Sequence, residues 1–265
     1  MNNNLVTKEE FKKFIEKHTI GYALNLEDYI KYNQHVPIIS SELSEMIGAY
    51  LNNTLCCGTG GSGWDNLDGG ECKHSEHIQS KFCGNCENKV IFFRNKCNYC
   101  DSEMFKANKG QKTFKKTNPR DGRWGIDAGS HIKNLQQLKE YRLSLLEPIK
   151  DVPDCREFRY RYWVMDKNSE HLNNYAKAQK ESNKSDHINF QPLKEDFYLS
   201  KPIKKIDGKL IIHKDRVEFI TNNFDLTNTV SEEIPEKFKN SSSESKIESK
   251  KFGKERGETG RIDIQ

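Results

Sequence analysis

Apolar residues recur with a helical period in several stretches of this chain and alternate strictly in one. Over residues 8–17, Phe11, Phe14 and Ile15 share a helical face, and a second short helix is predicted over residues 26–32. After Pro37, Ser40 or Ser41 can cap a helix whose face carries Leu43, Met46, Ile47, Tyr50 and Leu51, flanked by Glu42 and Glu45. Residues 157–165 (EFRYRYWVM) alternate, with Phe158, Tyr160, Tyr162 and Val164 on one side of a strand and Arg159, Arg161 and Trp163 on the other. A further helix is expected to open at Ser130 or Asn134 and end before Pro148, with Leu135, Leu138, Arg142 and Leu145 on one face. Another follows over residues 170–181. Residues 124–128 suit a strand, a turn-rich region runs up to Pro202, and Asp207-Gly208 between KKI and KLIIH predicts a hairpin.

Glycine-rich residues 58–63 (GTGGSG) read as a loop, because repeated glycine maximises the backbone entropy lost on ordering. The turn signal Asp68-Gly69-Gly70 then feeds a short strand over residues 71–73. From residue 231 onward serine, lysine and glutamate dominate, and residues 231–265 are expected to be a disordered tail.

The chain has 265 residues, 34% hydrophobic and 31% charged, enough for one catalytic domain with a small insert. The net charge of +4 implies no partner by itself, since clustering matters more than the sum. No apolar run approaches a membrane span, and MNNNLVTKEEFKKF lacks a secretory signal, so a cytoplasmic location is expected. There thiols stay reduced, and paired cysteines read as metal ligands.

Cys83-Gly-Asn-Cys86 and Cys97-Asn-Tyr-Cys100 are two C-x2-C units ten residues apart, which together supply the tetrahedron of a structural zinc ion. Residues 90–94 (VIFFR) suit a strand returning the second pair to the first, so a zinc ribbon is expected over residues 80–104. Four thiolates leave no open position for water, which puts any chemistry elsewhere. Cys56, Cys57, Cys72 and Cys155 read as ordinary core residues, and Lys81, Lys89, Arg94 and Lys96 as offsets to thiolate charge.

Glu71-Cys72-Lys73 is an E-x-K string in a predicted strand, where alternation puts Glu71 and Lys73 on one face and Cys72 on the other. Asp65 or Asp68 can come alongside across the turn. Two carboxylates at close range repel unless a cation such as magnesium sits between them, and such an ion can activate water for attack at phosphorus. Lys73 would position that water and offset charge developing on the phosphate.

Asp65, Glu71 and Lys73 within DNLDGGECK, preceded by a helix with acids and followed by a helix and an arginine-aromatic strand, resemble the PD-(D/E)XK nuclease superfamily, in particular type II restriction endonucleases. The resemblance spans residues 40–180, with Trp64 where the family has proline and a short gap from Asp65 to Glu71. It implies an α/β fold, a mixed sheet flanked by helices, restriction-endonuclease-like, with an N-terminal helical region over 1–39 and a nuclease domain over 40–230. It implies magnesium held by an aspartate, Glu71 and the backbone carbonyl of Cys72, with Glu42 or Glu45 joining from the helix. Asp65 is favoured over Asp68, which sits in the turn itself. Asp127 reads as a helix cap or supporting acid.

Seven basic side chains against one acid fill residues 104–123, and Lys112, Lys115, Lys116, Arg120 and Arg123 there suit phosphate neutralisation. Arg159 and Arg161 suit DNA contact or, equally, a solvated edge strand. The leading expectation is a sequence-specific, magnesium-dependent endonuclease of double-stranded DNA, acting as a two-fold homodimer. Alternatives are a non-catalytic zinc-ribbon DNA-binding regulatory protein and a zinc-stabilised protein-interaction module.

Overall fold

The computed structural model describes residues 5–58, 64–76, 81–106, 124–127, 139–149, 155–166, 168–183, 187–190 and 195–226. The glycine-rich loop beyond Gly58, most of the basic stretch and the tail expected to be disordered lie outside the described residues.

The N-terminal pattern forms one helix, α1 (Lys8–Lys31), where two were expected. Thr7 caps it, and the Glu10 side chain accepts from the Thr7 amide at 2.8 Å. Thr19, Tyr22 and Ala23 continue the stripe begun by Phe11 and Ile15, so burial carries the helix through Gly21 despite a cost of about 1 kcal/mol for glycine. Ser40 caps α2 (Ser41–Leu51), as its sequence predicts. Met46, placed on the buried face by spacing, is 39% exposed, and Gly48 and Ala49 are buried instead.

A mixed five-stranded sheet forms the centre. Its strands are β1 (Gly70–Glu76), β6 (Glu140–Pro148), β7 (Glu157–Met165), β9 (Pro202–Ile212) and β10 (Val217–Phe224), adjacent in that order. β1 runs parallel to β6, and every other pair is antiparallel. Helices α1 and α2 cover one face, where Phe11, Ile15 and Ile47 pack with Phe158, Tyr160, Tyr162 and Phe219. On the other face Tyr141, Leu143, Leu145 and Trp163 meet Leu172, Tyr175 and Ala176 of α3 (Glu170–Asn183) and Phe197 of α4 (Glu195–Leu199). β10 is an edge strand, and the Glu16 carboxylate of α1 accepts from its Phe219 amide at 2.9 Å. No helix among the described residues is long and apolar enough to cross a membrane.

Four expectations change here. The helix predicted through residue 146 is instead strand β6 over its described part. Tyr141, Leu143 and Leu145 face one core while Arg142, Ser144 and Leu146 face the other, and a short run buried on both faces carries no period that separates strand from helix. β7 is an inner strand, not an edge. The predicted Asp207-Gly208 hairpin is absent: β9 continues through it, and the chain reverses where the His213 amide bonds the Arg216 carbonyl at 2.9 Å. Gly208 serves close packing, since a Cβ there would lie 2.6 Å from the Phe219 ring. The region expected to be turn-rich contains β8 (His187–Phe190), paired antiparallel with β5 (Trp124–Asp127), and α4.

The cysteine pairs sit in a separate three-stranded sheet of order β3-β2-β4, made of β2 (Lys81–Cys83), β3 (Lys89–Val90) and β4 (Phe105–Lys106). The strand expected over residues 90–94 stops at Val90. Ile91, Phe92 and Phe93 enter the main core instead, and Asn33 fastens the junction by accepting from the Ile91 amide at 2.8 Å and donating to the Lys89 carbonyl at 2.9 Å.

Candidate active site and metal centre

Cys83, Cys86, Cys97 and Cys100 bring their sulfurs within 4.8 Å of one another. Backbone amides aim at them: Asn85 and Cys86 donate to Cys83 Sγ at 3.3 and 3.4 Å, and Tyr99 donates to Cys97 Sγ at 3.4 Å. Burial pushes the Cys83 thiol up, but these amides outweigh it and bring it down to about 6. Cys97, with burial dominant and bonds from the neighbouring thiols of Cys86 and Cys83 adding to it, is pushed up to about 12. Four soft donors in two knuckles fit one zinc ion. Lys81, expected to offset thiolate charge, is buried: its ammonium donates to the carbonyls of Phe92 and Arg94 and lies 3.7 Å from the centre of the Phe105 ring.

The E-x-K string opens β1, the edge strand opposite β10. Glu71 and Lys73 share a face and bond at 2.6 Å, while Cys72 is buried toward α2. Asp65 lies on the side of this strand that no other strand pairs among the described residues, its Oδ2 accepting from the Cys72 amide at 2.7 Å. In an extended strand the amide and carbonyl of one residue point the same way, so the Cys72 carbonyl faces the same open edge. Glu71 is raised above the usual carboxylate range by burial, opposed by Lys73 and reinforced by Asp65. Burial alone would lower Lys73, but the bond to Glu71 outweighs it and keeps the ammonium charged.

The alternative acids sit in different surroundings. Glu45 of α2 is raised by burial, then by Asp65 and by Glu42 on its own helix, with Glu71 adding less, so it feels the charge of the β1 acids. Glu42 stays in the first turn of α2, lowered by bonds to its own backbone, Ser40 and Ser41. Asp68 turns away and bonds Arg142 Nη2 at 2.5 Å. Cys56 and Cys57, expected in the core, are half-buried beside Asp65 and Glu45, which raise both thiols after burial does. Among the described residues the four thiols are the one group of three or more such side chains with ligand atoms this close. The carboxylates of Asp65, Glu71 and Glu45 form a looser electrostatic group.

Two residues that pattern reading missed hold this edge together. Asn66 is 0% exposed, donates to the Glu45 carbonyl at 3.1 Å and accepts from Arg142 Nη1 at 2.5 Å. Arg142 is 2% exposed and also bonds Glu140 at 2.8 Å. A lone arginine inside the run from Tyr141 to Leu146 was the signal available, since a buried cation requires acids around it. Beneath them His74 joins the Ser144 hydroxyl at 2.7 Å to Glu76 at 3.3 Å, and Glu76 accepts from the Ile38 and Ile39 amides just before α2.

Of the residues expected at DNA, Lys112, Lys115, Lys116, Arg120 and Arg123 lie outside the described residues. The Arg159 side chain is 45% exposed and pairs with Asp207. Arg161 is buried, pairs with Glu147 and stacks 4.6 Å from the centre of the Trp163 ring, so it offers little surface to a partner. Asp127 closes β5 in register with His187, and the helix it was expected to cap lies outside the described residues up to residue 138. No protein-family model, curated protein or solved structure matches this chain, so the nature of the site rests on its own residues.

Proposed function

We propose that the chain is a magnesium-dependent endonuclease that cuts double-stranded DNA at a short specific sequence, in the manner of type II restriction enzymes, as a two-fold homodimer. The observation that carries this reading is the Asp65 carboxylate held on the Cys72 amide at the open edge of β1, beside the Glu71–Lys73 pair. Asp65, Glu71 and the Cys72 carbonyl are the oxygen donors that would hold magnesium, a hard cation that takes few carboxylates and keeps its waters. That ion, when bound, supplies an activated water and neutralises phosphate charge. Lys73, kept charged by Glu71, would offset the negative charge that grows on the phosphate during attack. Glu45 completes the acidic wall and is relieved of repulsion once a cation is present. The basic residues from Lys109 to Arg123 would supply sequence-independent phosphate contacts, while Lys106 is buried and paired with Glu87, and the four-cysteine module would add a platform beside the main core.

The test is plasmid DNA of known sequence incubated with the protein and magnesium. Discrete fragments are expected, with Glu71→Ala and Lys73→Ala each lowering the rate by about 100-fold or more while DNA binding persists. A band shift without cutting would favour a non-catalytic zinc-ribbon DNA-binding protein, and neither cutting nor binding would leave a protein-interaction module.

A further inference from the structure

The turn before β1 offers two aspartates three residues apart, and only one of them reaches the open edge. Arg142 separates them. Its guanidinium uses all three nitrogens, with Nη1 on Asn66 Oδ1 at 2.5 Å, Nη2 on Asp68 Oδ2 at 2.5 Å and Nε on Glu140 Oε1 at 2.8 Å. Two glycines make room for it. A Cβ on Gly70 would lie 2.3 Å from Arg142 Cζ, and one on Gly48 would lie 2.5 Å from Cys72 Sγ and 2.9 Å from Asn66 Oδ1. The same Asn66 oxygen accepts from Cys72 Sγ at 3.3 Å, so the arginine is joined through one side chain to the residue whose amide holds Asp65. The Asp65 and Asn66 amides both bond the Gly70 carbonyl, at 3.1 and 3.0 Å, which closes the turn.

Resting on the metal-site reading above, we infer that Arg142 is a positioning residue that presents Asp65 to the cation and withholds Asp68 from it. Its planar fork reaches three acceptors in three directions, which an ammonium on a flexible stem does not reproduce. Buried charge makes the arrangement rigid, because freeing Asp68 or Glu140 from the guanidinium leaves an uncompensated ion. Such supporting contacts set the orientation of metal ligands, and losing one costs metal affinity about 10–100-fold.

The experiment measures binding of Mn2+, standing in for magnesium, to the full-length zinc-loaded protein by calorimetry, together with thermal unfolding. Asp65→Asn should abolish binding, whereas Asp68→Asn, whose amide oxygen still accepts from Arg142 Nη2 while Glu140 keeps its charge paired, should leave it within about twofold of wild type. Arg142→Lys should weaken it at least about tenfold, and Asp68→Asn, silent before, should now change the affinity further because the freed carboxylate competes at the site. A merely structural arginine would lower the unfolding temperature without making Asp68 matter. Should Arg142→Lys not fold, the partly exposed Asp68 still decides: Asp68→Asn as damaging as Asp65→Asn overturns the inference. Normal Mn2+ affinity in Arg142→Lys overturns it as well. If wild type binds no Mn2+ beyond its zinc, the metal-site reading itself fails and this inference falls with it, a result distinct from the other two.

Discussion

Replacing Cys97 with serine should unfold the zinc module while leaving the main domain folded. The module covering residues 81–106 has a very small core of its own: besides the cysteines, Val90 and Phe105 are its fully buried apolar side chains. Each contributes roughly 1.5–3 kcal/mol by burial, whereas zinc bound by cysteines in small modules contributes roughly 10–16 kcal/mol. With zinc held by the four cysteines, removing the Cys97 sulfur, which is 0% exposed, would remove the dominant force holding these strands. The boundary of the damage is set by Ile91, Phe92 and Phe93, which belong to the main core and are tied to Asn33. Hydrogen exchange by mass spectrometry should show lost protection at the Cys83, Glu87, Cys97 and Asp101 amides, which bond within the knuckles, and retained protection in β6, β7 and β9. Chelation of wild type should reproduce the pattern, and zinc should reverse it. Protection in the knuckles that survives both treatments would refute the argument.

Gly70→Ala should cost about 1–3 kcal/mol in denaturant unfolding, because a Cβ 2.3 Å from the Arg142 guanidinium forces a buried ion off its partners; cleavage should fall with it. Glu45 and Glu71 both titrate above the usual carboxylate range, so the metal-free protein loses stability as pH rises from their ordinary value through their raised ones. Stabilisation by magnesium should therefore grow over that window, seen as a widening gap between unfolding temperatures with and without the ion. Glu45→Gln should raise the metal-free unfolding temperature at neutral pH by roughly 1 °C, the scale of a weak surface repulsion, and should shrink the gap that magnesium opens.

Spacing alone determined the four-thiol cluster, because two C-x2-C units bring their own sulfurs together wherever the chain goes. It determined β1 and β7 too, where turn glycines and strict alternation are local signals, and it put Glu71 and Lys73 on one face. Tertiary structure decided what depends on partners distant in sequence. Whether residues 140–148 are helix or strand was settled by two cores enclosing them, Asp207-Gly208 was kept in a strand by the Phe219 ring, and Arg161 was buried by the strands on either side of it. The different surroundings of Asp65 and Asp68 belong to this second class: the two lie in one turn with like chemistry, yet one meets the Cys72 amide and the other a buried guanidinium supplied 74 residues later in the chain.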